Sequence, residues 1–304
     1  MTDLNTTLIA IRERGLPEIC DLGLRVLRTQ FKPLFLAALI GMLPCALFNW
    51  WWLSKLPHEN MGDRMYYAFG LLLLGWWQLP WATAPLTLVL GQVMFQQRID
   101  FGLLRRNSKP RFPQLAWYMT LRTLLMPHGL IMAYPRLWDD MAAMLVILFL
   151  LWLIPVLRWS YLTEVILLEK NPWTSKTGQL TTGQRNKALH GGDSGMVFAR
   201  GFSLAVLELV LIGMLFFGGW YLYGNIVGEI EITPGLFQFG IPAAFWATQA
   251  YMAVVRFLCY LDLRIRREGW EVDLALRSEA ALMERQAAGV QGRPEPRIAD
   301  PLPV

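Results

Sequence analysis

The sequence predicts an all-α polytopic membrane helix bundle with about six transmembrane helices and with cytoplasmic helices at both ends. Three observations predict this class. Apolar residues make up 55% of the chain and charged residues only 17%, an imbalance unusual in soluble domains. The apolar residues form long runs, of which residues 69–95 contain no charge over more than the roughly 18 residues that indicate a span. Basic residues also concentrate on one side of the resulting topology.

The lengths of the apolar runs predict where the spans lie. About 20 helical residues, each rising about 1.5 Å, cross a hydrocarbon core of about 30 Å. We predict spans at residues 33–53, 66–95, 115–134, 141–161, 201–223 and 236–257. The third contains Arg122 and His128, so a re-entrant or interfacial helix is its alternative.

These spans divide the chain into four predicted parts. Residues 1–32 are expected to form a cytoplasmic or interfacial amphipathic helix and residues 33–260 a six-helix transmembrane domain. Residues 261–287 are expected to form a cytoplasmic helix, and residues 288–304, rich in Pro and Gly without periodicity, a disordered tail.

The distribution of positive charge predicts the orientation. Of 28 Lys and Arg residues, only Lys55, Arg64 and Arg136 fall in outward loops when the N-terminus is placed inside. Both termini are therefore expected in the cytoplasm. The net charge of +5 then describes a basic inner face facing anionic lipid headgroups, which gives no argument for nucleic-acid binding.

The segment before the first span has the pattern of a helix lying on a membrane surface. Pro17 suits a first helical position. Charged residues then recur three and four apart, at Glu18, Asp21, Arg25, Arg28 and Lys32. The opposite face is apolar and comprises Ile19, Leu22, Gly23, Val26 and Leu27. An interfacial helix fits this pattern, with packing of that face on the protein's own loops as the alternative.

Pro80 and Pro85 lie inside the second predicted span. Proline lacks a backbone donor, and it bends a membrane helix where neighbouring groups satisfy the freed carbonyls. We therefore predict a kink at these prolines. A structural bend is favoured over a hinge used in transport, because prolines are common in membrane helices.

Arg122 and Glu208 are candidates for an intramembrane charge pair. Each lies seven residues from the inner start of its predicted span, at about 10 Å depth. Charges inside hydrocarbon are costly unless they are paired. A structural salt bridge, or snorkelling of both side chains to the inner surface, is favoured over a proton or substrate relay, which would need further acids.

A second candidate cluster lies at the inner ends of the fourth and sixth spans. The strings RWSYLTE and RFLCYLD both place an arginine six residues before a carboxylate, around a Tyr-Leu pair. The cluster comprises Arg158, Glu164, Arg256 and Asp262. This weak repeat indicates a hairpin duplication, compatible with a transporter and equally with a passive bundle.

Signals for catalysis or metal binding fail on inspection, so no catalytic residue, metal or cofactor is predicted. The string GGDSG after His190 resembles a serine-protease motif, but it lies in a polar inner loop without the scaffold a triad needs. His58, His128 and His190 fall on the outer side, within the membrane and on the inner side, so they cannot share a metal. The cysteines at positions 20, 45 and 259 have no ligand spacing and are interpreted as reduced packing residues.

The C-terminal charged helix carries an apolar stripe of Val272, Leu276, Ala280 and Met283. An apolar stripe on a charged helix is expected to pack against another surface. The alternatives for that surface are the inner loops, a second copy of the chain and a cytoplasmic partner protein.

Several strings carry a resemblance to a known family: LGLRVLRTQFKPLF, ATAPLTLVLGQVMF, YLTEVILLEKN and YLDLRIRREGWEVDLAL. The chain resembles a poorly characterised family of bacterial multi-span membrane proteins similar to the membrane domain attached to some glycerophosphoryl diester phosphodiesterases. The resemblance implies a six-helix bundle in the cytoplasmic membrane; it does not imply phosphodiesterase chemistry. We expect a noncatalytic scaffold or membrane-organising protein, with a small-molecule or lipid transporter as the alternative.

Overall fold

The computed structural model describes residues 14–55, 61–95, 102, 106, 109–125, 160–169, 171–173, 180–191, 194–228 and 234–268. All regular elements within these ranges are helical, which confirms the predicted all-α class. Residues 269–304, with the predicted C-terminal stripe and tail, lie outside the described part, as do Arg158 and most of the fourth predicted span.

Helix α1 (Leu16–Thr29) and helix α2 (Phe31–Leu53) follow each other almost without a loop. Pro17 occupies the first turn of α1, as expected. Gln30 then leaves helical geometry, at φ −114° and ψ 34°, while its N–H still bonds the carbonyl of Val26. One non-helical residue therefore redirects the chain from the amphipathic helix into the first apolar one.

The apolar face of α1 packs on another helix of the protein. Ile19, Gly23 and Val26 are buried. A Cβ added to Gly23 would lie 3.1 Å from Val255 and 3.4 Å from Tyr251. Part of the face predicted to contact the membrane surface is thus covered by helix α8 (Pro234–Glu268). The interfacial position of α1 stays a prediction.

Two helices of the described chain are long and apolar enough to cross a membrane. One is α2, and the other forms most of helix α7 (Ser194–Val227). Their large apolar side chains point mostly away from the protein, as with Ile40 at 57% and Met214 at 67% exposure. Contiguous apolar surface of this kind is what a span presents to lipid.

The centre of the fold is formed by α8 and by helix α3 (Met61–Phe95). Helix α3 packs on α2 and α8, and α8 also packs on α7 and α1. Glycine lets the backbones of α2 and α3 approach each other closely at Gly41. A Cβ at this position would lie 2.1 Å from the carbonyl oxygen of Ala82 in α3. Helix α8 continues without a break past residue 260, where the sequence predicted the end of the membrane domain.

Pro80 and Pro85 lie inside α3, which is helical on both sides of each proline. The kink predicted at these residues stays a prediction. Helix α4 (Phe112–Leu125) covers the first part of the third predicted span, and residues 126–134 lie outside the described residues. Whether this segment crosses the membrane or is re-entrant or interfacial therefore stays a prediction. The predicted number of six crossings is therefore not confirmed, whereas the helical class and two candidate spans are.

Shorter helical elements complete the described fold. Helix α4 is preceded by a 3₁₀ turn, Lys109–Arg111. Helix α5 (Leu162–Glu164) runs directly into a π-helical turn, Val165–Glu169. Helix α6 (Thr182–His190) begins with a capping box, in which Thr181 and Gln184 bond each other's backbone N–H groups.

Candidate functional site

The candidate site is a network of carboxylates and arginines arranged along the last third of α8. It starts from Glu164 and Glu169, which bound the π-helical turn after α5. Residues five apart on an α-helix point about 140° away from each other. A π turn closes i→i+5 hydrogen bonds, so residues five apart lie on nearly the same side. The turn therefore directs both carboxylates toward α8.

Glu164 is completely buried and pairs with Arg256 of α8. The Nε of Arg256 donates to Oε1 of Glu164 at 2.9 Å. Its Nη2 donates to the hydroxyl of Thr83 in α3, also at 2.9 Å. That hydroxyl donates in turn to the carbonyl of Leu79 at 2.7 Å. One guanidinium thus links α5, α3 and α8, with its charge compensated by a carboxylate at contact distance.

Glu169 accepts from several donors at once. The hydroxyl of Tyr260 donates to Oε1 at 2.6 Å. Arg185 of α6 donates through Nε to Oε2 at 2.5 Å and through Nη2 to Oε1 at 3.2 Å, a two-point contact. The Nε of Arg264 lies 3.7 Å from Oε1. Glu169 therefore attaches α6 to α8 through a single side chain.

The spacing on α8 explains how one helix serves both carboxylates. Arg256, Tyr260 and Arg264 lie four residues apart, so they form one stripe along the helix. Asp262, between the last two, belongs to another face and is 4% exposed.

Asp262 organises the opposite side of α8. Its Oδ2 lies 2.7 Å from Nη2 of Arg200 in α7 and accepts from Nε of Arg266 at 2.9 Å. Its Oδ1 accepts the backbone N–H of Arg14 at 2.8 Å. The carbonyl of Arg14 accepts from Arg266 at 3.0 Å, so the start of α1 is bound to α8 through backbone as well as side chains.

The structure joins some of the residues predicted as an inner-face cluster and separates others. Glu164 and Arg256 are in direct contact. Asp262 lies six residues beyond Arg256, about 9 Å along α8, and contacts different partners. Arg158 lies outside the described residues. Arg256, from the second copy of the predicted repeat, therefore pairs with Glu164, the carboxylate of the first copy. The corresponding pair of Arg158 with Asp262 lies partly outside the described residues.

The predicted pair of Arg122 and Glu208 has one described member. Glu208 lies in α7, where Nε2 of Gln249 in α8 donates to its Oε1 at 2.5 Å. The side chain of Arg122 falls outside the described residues, so the pairing stays a prediction.

Sequence reasoning missed Thr83, Glu169 and Gln249. The four-residue spacing of Arg256, Tyr260 and Arg264 was a readable signal for a polar stripe. Nothing local marks Gln249, a neutral residue in an apolar helix.

His190, at the end of α6, lies beside this network. Its Nδ1 donates to the carbonyl of Asn186 at 2.8 Å. Burial lowers its pKa below the ordinary value of about 6.5, the hydrogen bond opposes this, and the cation of Arg267 lowers it further. The imidazole is therefore held in its neutral form.

No three His, Cys, Asp or Glu side chains in the described ranges are grouped so as to hold a metal ion. What the arrangement does chemically is hold charges in fixed pairs. Comparison of the chain with protein-family models, with curated proteins and with solved structures gives no significant match. The family resemblance stated above stays a prediction.

Proposed function

We propose that the chain is a noncatalytic, multi-pass protein of the bacterial inner membrane that acts as a scaffold or membrane-organising protein. The single observation that carries this proposal is the ion-pair network on α8. Ion pairs and hydrogen bonds of this network join α1, α3, α5, α6 and α7 to this one helix. These contacts favour a single fixed arrangement of the helices.

Close packing elsewhere supports the same role. Gly41 meets the backbone of Ala82, and a Cβ at Gly75 of α3 would lie 2.4 Å from the ring of Phe245 in α8. Packed interfaces without spare volume resist sliding of one helix past another. Rocking of one half of the bundle against the other, as in alternating access, would have to break these contacts.

The proposed topology has six spans with both termini in the cytoplasm. The exposed apolar faces of α2 and α7 support membrane placement. The concentration of basic residues in inner segments supports the orientation. Fusion of alkaline phosphatase after Ser54, the predicted outer loop, should give enzyme activity, whereas fusion after Glu268 should not. Activity of the second fusion would refute the orientation.

The proposed contacts of this scaffold are lipid and protein. Arg25, Arg28 and Lys32 lie exposed around the end of α1, at the predicted inner surface. Each Lys or Arg near anionic headgroups contributes roughly 1 kcal/mol. Residues 269–287, the rest of the predicted C-terminal helix, are proposed to bind a partner protein or a second copy of the chain; nucleic acid is not a proposed partner.

A small-molecule or lipid transporter is the second candidate. The observation that favours it is charge inside the bundle, since Glu164 is fully buried and Arg256 is held between α3, α5 and α8. Intramembrane ionisable groups frequently mark substrate or ion pathways.

Cysteine accessibility separates the two candidates. Thr87 and Thr248 are buried at 0% and 2% exposure, in α3 and α8. In a chain without native cysteines, Thr87→Cys and Thr248→Cys should react with a membrane-impermeant maleimide from neither side of the membrane. Ser54→Cys, in the exposed turn after α2, is the matched control and should react from the outer side. Reaction of the buried positions from both sides would refute the scaffold and support the transporter.

A further inference from the structure

Glu208 lies in the apolar middle of α7, away from other charges of that helix. Toward the N-terminus the nearest charged residue is Arg200, eight residues or about 12 Å away. Toward the C-terminus, α7 contains no charged residue up to Val227. The neighbours one turn to either side are apolar: Leu204, Ala205, Leu211 and Ile212. The surroundings of the carboxyl group on its own helix are therefore those of a membrane interior.

The side chain that binds Glu208 is neutral. Gln249 of α8, itself 2% exposed, donates from Nε2 to Oε1 of Glu208 at 2.5 Å. An amide donor satisfies a carboxyl oxygen whether or not the other oxygen carries a proton. It does not supply the positive charge that an ionised carboxylate requires in hydrocarbon.

Arg256 is the first charged residue of α8, counted from its N-terminus. It lies seven residues from Gln249, about 10 Å along α8. Its guanidinium is already bound to Glu164 and Thr83, so its charge is compensated at contact distance. Glu164 and Glu208 therefore differ sharply: one carboxyl has a guanidinium partner and the other has an amide.

We infer that Glu208 is a proton-binding site between α7 and α8, whose carboxyl group carries its hydrogen on Oε2 at neutral pH while Oε1 accepts from Gln249. Glu164, by contrast, has the guanidinium of Arg256 as its partner. The inference rests on the membrane placement proposed above, and it adds an intramembrane carboxyl group that binds a proton.

A protonated carboxyl in apolar surroundings has a distinctive reaction with the hydrophobic reagent dicyclohexylcarbodiimide. The O–H hydrogen moves to one nitrogen of the reagent and the carboxyl oxygen bonds its central carbon. The acyl group then migrates from oxygen to nitrogen, leaving a stable adduct with no group lost and no oxidant required. Ionised carboxylates lack the hydrogen that starts this addition.

The experiment treats the full chain in membrane vesicles at about pH 7 with this reagent or with a water-soluble carbodiimide plus an amine, followed by peptide mass spectrometry. We expect the hydrophobic reagent to modify Glu208 at least about tenfold more than Glu164, and the water-soluble reagent to modify neither. Glu208→Gln should remove the adduct. Gln249→Leu, which removes the amide donor, should retain it.

Two results would overturn the inference. An adduct at Glu208 that appears only in Arg122→Gln would mean that Arg122 holds this carboxylate ionised. If the water-soluble reagent modified Glu208 as much as the hydrophobic reagent does, the carboxyl group would face water. Membrane placement is read separately: Met214→Cys, in a chain without native cysteines, lies on the exposed face of α7 and should resist an impermeant maleimide. Its reaction would refute the placement whatever happens at Glu208.

Discussion

Replacing Arg256 by Met should destabilise the protein more than any change to a surface ion pair. The substitution leaves Glu164 fully buried without its guanidinium, and it removes the donor at 2.9 Å from the hydroxyl of Thr83. Removing one member of a buried pair costs about 3–5 kcal/mol, because the remaining charge has neither solvent nor partner. We expect an effect in this range, lowered somewhat because the Arg256 side chain is 24% exposed.

The assay is the free energy of unfolding in detergent micelles for Arg256→Met, for Glu164→Gln and for the double variant. The double variant should be destabilised by less than the sum of the two, with a coupling of about 1–3 kcal/mol. Arg25→Met is the matched control, since Arg25 and Asp21 pair at 2.8 Å with 74% and 59% exposure. Its cost should stay within about 1 kcal/mol. Additive effects in the cycle, or equal costs for the buried and exposed pairs, would refute the reasoning.

Three further predictions follow from individual contacts. Gly41→Ala should lower the free energy of unfolding by about 1–3 kcal/mol, because its Cβ would lie 2.1 Å from the carbonyl oxygen of Ala82; Gly213→Ala, with nothing within 4 Å, should leave it unchanged or raise it by up to about 1 kcal/mol. Glu169→Gln should loosen α6, and trypsin should then cleave within that helix at least several-fold faster than in the unaltered chain; unchanged cleavage would count against Glu169 as the attachment. Since the pKa of His190 is lowered in the folded protein, the unfolded chain binds the proton more readily. The stability that the neutral imidazole contributes is therefore present above about pH 6.5 and is lost as the pH falls below it. His190→Gln should make the free energy of unfolding less sensitive to acid, and an identical pH profile for both proteins would contradict this.

Three helices, α1, α2 and α7, could be predicted from local pattern. The alternation of charged and apolar residues after Pro17 predicts α1, which the structure contains as Leu16–Thr29. Long uncharged runs likewise predict α2 and α7, because helix formation and apolar length depend on residues adjacent in sequence. Pairing is different, since it depends on how each helix is rotated toward its neighbours.

Glu164 shows this difference most clearly. The sequence placed it in an inner-face cluster with Arg158, Arg256 and Asp262, but it gave no means of choosing a partner among them. The choice of Arg256 depends on a π turn that redirects α5 and on the packing of α3 against α8, both of which involve residues far apart in the chain.

The sequence alone therefore determined the all-α class, the apolar character of α2 and α7, and the presence of charged residues that an apolar bundle must accommodate. Only the tertiary structure decided that Arg256 meets Glu164 and that Glu208 meets the neutral Gln249. The physical reason is that the type of a residue and its position in its own helix are local properties. Its partner, and hence whether its charge is compensated, is set by the rotation and approach of helices distant in sequence.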